Sequence, residues 1–347
     1  MFSKNLKYYR LKNALSKKEL AERVNVTSMA ITNYENGNRK PSMDVLKLLA
    51  KELGVKVSDF LAVRNNNLVF CHGEFRKNTT LTATKQEYVR ESVEEYLNRF
   101  MTVVEILGGD VLPEAPQIHA LALSGDDEEN ASALRAHLGL APDGPVDNLI
   151  GTLENKGILV MSIDINNNRF SGMNGLVNER PYIVINPSMT TERNRSTIIH
   201  ELAHLMFVWS KDMDDKEVEN KATAIAGAFL FPKSDVSREL GVRRNAIAKD
   251  MIFTAIEYGI SMMLLVTRGK LCKVIPDRVA QDFYIQASLM GWRTNEPSRI
   301  DPEIPSLFKQ LVYRAVSEND ISMQRGAELL QISYDEVVSH FRVIEES

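Results

Sequence analysis

The run Ile198-Ile199-His200-Glu201-Leu202-Ala203-His204-Leu205 constrains this chain more than any other stretch. Its apolar residues recur at helical spacing, and residues four apart on a helix project from one face, so the imidazoles of His200 and His204 can reach a common point. Ile198, Ile199, Leu202, Leu205 and Phe207 make the helix largely buried. Two polar rings there need partners, because an unsatisfied buried polar group is costly. A shared metal ion is one solution; separate hydrogen bonds within a core helix are the other. Glu201 lies about 100° around the helix from His200. That places its carboxylate beside such an ion and not on it, where it can take a proton from water.

A third ligand decides between the two. Glu219 stands in Glu217-Val218-Glu219-Asn220-Lys221-Ala222-Thr223-Ala224-Ile225-Ala226. At about 100° per residue it falls within about 20° of Ala226 and about 60° of Ala222, on the small inward face, whereas Glu217 lies about 160° away. A carboxylate on an apolar face is expected to be ligated or paired. Two His and one Glu leave the fourth position of a tetrahedral zinc site to water, the catalytic arrangement. Asp214 is a rival third ligand; Asp212 and Asp215 read as loop and helix-start acids. One Zn2+ per chain is the expected cofactor, with Mn2+ as the alternative ion.

The charge is unevenly distributed. Over the whole chain the net charge is −4, but residues 1–62 carry 12 Lys and Arg against 6 Asp and Glu, leaving 30 basic and 40 acidic residues in the remainder. A basic head on an acidic body suits contact with a polyanion through the head alone. That head reads as five short helices. Ser16-Lys17-Lys18-Glu19 is a capping box, Thr27 can cap a helix over Ser28–Asn36 ended by Gly37, and Pro41 and Ser42 open another that stops at Gly54. A helix, a tight turn and a second helix place the second helix in the major groove of DNA. Ile31 and Tyr34 then face inward while Ser28, Met29, Thr32 and Asn33 face outward. Asn33 can pair with adenine and Met29 can meet a thymine methyl. Lys17, Arg39 and Lys40 sit where phosphate contacts would position the domain.

After an exit linker over 64–67, residues 68–75 read as a strand, 83–107 as a long amphipathic helix, and the Gly-, Pro- and acid-rich 108–130 as a loop. Helices near 131–138 and 145–156 precede strands at Ile158–Ile165, Gly172–Val177 and Tyr182–Asn186; helical patterns return at 192–209, 215–230 and through most of 246–341. Helix-turn-helix rhythms recur at Glu257–Leu271 and Ile321–Phe341. They would present Met262 and Met263, or Asp335 and Glu336, to phosphates, so core packing or dimer contact is the reading for both. His72, His119, His137 and His340 are isolated. Two cysteines, no apolar leader and no uninterrupted apolar run of membrane-spanning length point to a reducing cytoplasm and away from secretion or a membrane.

Residues 6–61 resemble the Xre/phage-repressor family of helix-turn-helix domains. The resemblance implies that Thr27, Ser28, Met29 and Asn33 face bases and that Arg10 pairs with Glu35. The segment from about Asp147 to Pro232, through GMNGLVNERPYIVINP, RSTIIHELAHLMF and ENKATAIAGAFLFP, resembles the ImmA/IrrE metallopeptidases. That resemblance implies a zincin-like domain with His200, His204 and Glu219 as ligands and Glu201 as base. Ala203 stands where Gly is common, and Thr223-Ala224-Ile225 replaces the usual Asn-x-Phe. Tyr182 and Arg195 are candidates for oxyanion support.

The expected architecture is multidomain, mainly α with a small β-sheet. It comprises an all-α helix-turn-helix domain (1–66), a linker strand and helices (67–145), an α+β zinc peptidase core (146–235) and a helical C-terminal extension (236–347). The expected function is a DNA-binding regulator, a homodimer that reads two half-sites of a double-stranded operator, that is also a zinc endopeptidase. Its substrate, laid along an exposed strand Gly172–Val177, would be a helix-turn-helix repressor, either a partner or this chain at its linker near 62–80. The alternative is a repressor whose metal domain only senses a ligand, metal or protein signal.

Overall fold

The computed structural model describes residues 2–62, 64, 65, 67–73, 81–165, 167, 170–292 and 295–342. In chain order the elements are α1 (Phe2–Lys12), α2 (Lys17–Arg23), α3 (Ser28–Glu35), α4 (Met43–Leu53), α5 (Val57–Leu61), β1 (Phe70–His72), α6 (Ala83–Ile106), β2 (Leu121–Ala122), α7 (Asp127–His137), α8 (Leu149–Glu154), β3 (Leu159–Ser162), β4 (Gly172–Val177) and β5 (Arg180–Ile185). There follow α9 (Thr191–Met206), β6 (Phe207–Val208), α10 (Asp215–Leu230), α11 (Lys233–Leu240), α12 (Asp250–Tyr258), α13 (Met262–Leu271), α14 (Asp277–Leu289), α15 (Leu307–Ser317), α16 (Met323–Leu330) and α17 (Tyr334–Arg342). The fold is multidomain and mainly helical with a small mixed sheet, as expected. The exit linker's Asn66 and the end of the expected strand 68–75 lie outside the described residues.

Two compact units are present. The first takes in the described residues of Met1–Phe70, Phe75–Val111 and Leu311–Ser347. Its helices start and stop where local chemistry dictates. The Ser16 hydroxyl accepts from the Glu19 amide and the Glu19 carboxylate accepts from the Ser16 amide, closing the capping box of α2. Thr27 and Ser42 cap α3 and α4, and Gly54 ends α4 at φ 66°. Leu6, Leu20, Ile31, Leu49 and Phe60 are wholly buried between these helices. Within this unit α1 packs against α6, with the Lys7 ammonium 2.7 Å from Glu87 and 3.0 Å from Glu91. The segment 67–145 is thus divided: α6 belongs to the first unit and α7 to the second.

The second unit takes in the described residues of Cys71–Glu74 and Leu112–Gln310. Its sheet has the order β1-β4-β5-β3. β4 and β5 form an antiparallel hairpin closed by Asn178 and Glu179, whose φ of 47° and 65° match the strands' twist, and β3 joins β5 in parallel. β4 is therefore interior, which corrects the expectation of an exposed Gly172–Val177: β1 covers its outer edge. A second correction concerns Asp127-Glu128-Glu129, read as loop. Asp126 caps α7 by accepting from the Glu128 amide, and the acids fill the helix's first turn, where carboxylates meet the positive end of its dipole. α9 lies on β4 and β5, and α10 packs on α9 and α7. Ile183, Ile185, Ile198, Ile199, Leu202 and Ile225 share this core. Met262 is buried in it too, so the rhythm at Glu257–Leu271 serves packing. Among the described residues no single helix is long and apolar enough to cross a membrane.

Candidate metal centre

Thr190 starts α9 by accepting from the Arg193 amide, and wholly buried Ile198, Ile199, Leu202 and Ala203 fasten the helix to the core. Gly172 lets it come close to the sheet: a Cβ there would lie 2.6 Å from the Thr197 methyl carbon and 2.6 Å from the Val184 carbonyl. That approach sets Glu201 against β4, where the Asn174 side-chain amide donates to Glu201 Oε2 at 2.8 Å.

α10 supplies the other side. Its start is a capping box in which Asp214 accepts from the Glu217 amide at 2.8 Å and Glu217 accepts from the Asp214 amide at 3.0 Å. The rival ligand Asp214 is thus used as a cap. One turn further in, Glu219 Oε2 lies 3.3 Å from His200 Nε2, and its Oε1 lies 3.3 Å from His204 Nε2. The two imidazole Nε2 atoms are 3.1 Å apart. Thr223, one turn beyond Glu219, donates its hydroxyl to the Glu219 carbonyl at 2.8 Å and lies 3.2 Å from His200 Nδ1. A carbonyl only accepts, so the hydroxyl proton goes there and the hydroxyl oxygen accepts from Nδ1–H. His200 thereby turns Nε2 toward Glu219 and His204.

The donor set suits a divalent cation. Two imidazole nitrogens and a carboxylate converge here, with one ligand atom from each of the three residues within 4.8 Å of the others. Bonds of about 2.0–2.1 Å to a tetrahedral ion give donor–donor edges of about 3.3 Å. The 3.1 and 3.3 Å separations match those edges. Nitrogen and oxygen donors without thiolate fit zinc or manganese.

Helix α3 presents the other candidate surface. Ser28 and Met29 are exposed, Met29 at 67%, and Thr32 and Asn33 are half-buried. The Thr27 hydroxyl accepts from the Ala30 amide and the Thr32 hydroxyl donates to the Ser28 carbonyl, so both serve the helix itself. Arg39 and Lys40 are exposed. Lys17 is half-buried, its ammonium 3.6 Å from Glu35, and so is partly neutralised within the domain. Arg10 and Glu35 form a buried bidentate pair, with Nη2 donating to Oε2 at 2.9 Å.

Residues 6–60 match the helix-turn-helix family model, and residues 153–269 match the M78 peptidase model described as an IrrE N-terminal-like domain. The chain carries both domains. A curated relative, the uncharacterized HTH-type transcriptional regulator YqaE of Bacillus subtilis (strain 168), is 34% identical over 70 residues, which is 20% of this chain. The chain spans 60% of that relative's length. Bacillus thuringiensis PlcR, solved in complex with the peptide PapR7 and DNA, aligns over 99% of this chain and 95% of its own at 10% identity. The TM-score of that alignment is 0.18.

The IrrE-like match continues beyond Pro232 through α11 and α12 into α13. Within that domain the structure places the two oxyanion candidates in other work. Tyr182 is wholly buried, and its hydroxyl is 2.6 Å from His72 Nδ1. Arg195 lies about 140° around α9 from His200; it is paired with Glu303 and donates to the Val146 carbonyl. Of the other histidines, His119 and His137 meet backbone carbonyls of Phe207 and Gln117, and His340 stacks on Tyr313. Sequence reasoning missed Asn174 and Thr223. The i, i+4 spacing of Glu219 and Thr223 was available as a signal; nothing local marks Asn174.

Proposed function

We propose that this chain is a cytoplasmic DNA-binding transcriptional regulator whose IrrE-like domain is a metal-dependent endopeptidase. The observation that carries the reading is the convergence of His200, His204 and Glu219 beside a carboxylate, Glu201, that Asn174 holds against the sheet. His200, His204 and Glu219 would hold one zinc or manganese ion. Such an ion supplies Lewis acidity, which makes water a nucleophile near neutral pH and polarises a peptide carbonyl. Glu201 takes the proton of the attacking water on Oε1, the oxygen that Asn174 does not engage, and returns it to the leaving amine. Asn174 fixes the direction in which that proton moves, and Thr223 fixes the ring of His200.

The helix-turn-helix domain reads a double-stranded operator through Ser28, Met29 and Asn33, with Arg39 and Lys40 on phosphates and Thr27, Thr32 and Lys17 in supporting positions. Two half-sites call for a homodimer. The substrate is a protein, a helix-turn-helix repressor in a stress or phage-related response. A partner is favoured over the chain's own linker near 62–80, of which residues 63, 66 and 74–80 lie outside the described residues.

The test compares wild type with Glu201→Gln for bound metal and for cleavage of repressors encoded beside the gene and of the chain itself. Lost cleavage with unchanged metal content is expected. Unaltered regulation in cells by Glu201→Gln would turn the reading toward a non-catalytic sensor.

A further inference from the structure

β1 lies along the outer edge of β4, the strand whose Asn174 holds Glu201. Gly73, just past β1, donates its amide to the Asn174 carbonyl at 2.9 Å. The Cys71 carbonyl runs so close to β4 that a Cβ on Gly175 would meet it at 2.7 Å. His72 Nδ1 lies 2.6 Å from the Tyr182 hydroxyl, which crowds the same side of Gly175. Position 73 admits little but glycine. A Cβ there would lie 2.7 Å from the Asn174 carbonyl oxygen and 2.7 Å from Asn174 Oδ1. The backbone oxygen cannot swing aside, and moving the side chain disturbs its bond to Glu201.

Strand addition binds a peptide by main-chain hydrogen bonds and selects it by side-chain fit. The outer edge of β4 is the sheet edge that touches the residue holding Glu201. Its present occupant is a three-residue strand with little burial, the kind of element that opens locally at low cost. We infer that this edge docks an extended polypeptide bearing a glycine beside Asn174, and that Cys71–Gly73 of this chain holds the edge until such a segment displaces it. The inference rests on Glu201 being the general base. It makes the partner a strand with a glycine in the register of Gly73, and it makes Cys71–Gly73 an internal mimic of that strand.

The probe is a fluorescein-labelled peptide of residues 67–73, added to the full-length protein under reducing conditions. Gly73→Val in the chain should free the edge, so the variant binds the peptide at least tenfold tighter than wild type. A peptide with valine in place of its glycine should bind the variant at least tenfold more weakly. Hydrogen exchange, normalised for intrinsic rate, should find the residue 73 amide protected in wild type and unprotected in Gly73→Val. Unchanged α9 protection shows that the variant is folded. Equal peptide binding by both proteins, no binding by a folded variant, or retained protection at residue 73 would overturn the inference. In wild type, excess unlabelled peptide should speed exchange at Gly73, and no acceleration would overturn it equally. Neither readout involves hydrolysis, so their failure is separate from failure of the Glu201→Gln test.

Discussion

Thr223→Val removes one hydroxyl and keeps the side chain's shape. In wild type that hydroxyl accepts from His200 Nδ1–H at 3.2 Å, which holds the ring with Nε2 toward Glu219. Groups that orient a ligating histidine are worth about 10–100-fold in metal affinity. Thr223 is exposed, so water can reach Nδ1 and replace part of the bond. The effect therefore belongs at the lower end, about tenfold or about 1.4 kcal/mol. Zinc titration against a competing chelator measures it. Thr223→Ser, which restores the hydroxyl, should recover wild-type affinity, and the melting temperature of the metal-free protein should stay unchanged in both. Wild-type affinity in Thr223→Val, or equal losses in both variants, would refute the assignment of Thr223 as a positioning residue.

Glu35→Ala leaves the Arg10 guanidinium, 3% exposed, without its partner. Breaking a buried pair in this way costs about 3–5 kcal/mol, so thermal melts should show the helix-turn-helix domain unfolding early. Asn33→Ala should weaken binding to the DNA upstream of the chain's own gene by about 1–3 kcal/mol with an unchanged salt slope, whereas Lys40→Ala should weaken all sequences alike and reduce that slope by about 1. Glu154 is driven above the usual carboxylate range by burial, against the Ser306 and Leu307 amides that favour its charge. The folded state therefore holds that proton more tightly than the unfolded chain. The stability this contributes is complete below the unfolded pKa and is lost as pH rises through the raised folded value. Glu154→Gln should flatten that decline in melting temperature between acidic and neutral pH, and an unchanged profile would count against it.

What could be read from the sequence was what local chemistry decides. Ser16, Glu19, Thr27, Ser42 and Gly54 act on amides and carbonyls a few residues away, so the helix-turn-helix elements fell where caps and breakers put them. His200, His204 and Glu219 were likewise legible, because helical periodicity sets which side chains share a face, and the structure brings those three together. The acid run at Asp127–Glu129 misled because charge density marks loops and helix starts alike; the Asp126 cap decides which. The Gly172–Val177 strand was read as exposed because nothing within it tells of a neighbour from a hundred residues earlier. Its cover by β1 is a non-local pairing, visible only through the glycines that permit it. Thr223, first noticed as a departure from the family pattern, acquires its role only once α10 is laid against α9.

Metal stoichiometry across three proteins tests the central claim most directly. Wild type and Glu201→Gln, each dialysed against zinc and then against metal-free buffer, should retain one ion per chain, while Glu219→Ala treated identically should retain almost none. Full retention of zinc by Glu219→Ala, or none by wild type, would contradict a cation held jointly by α9 and α10.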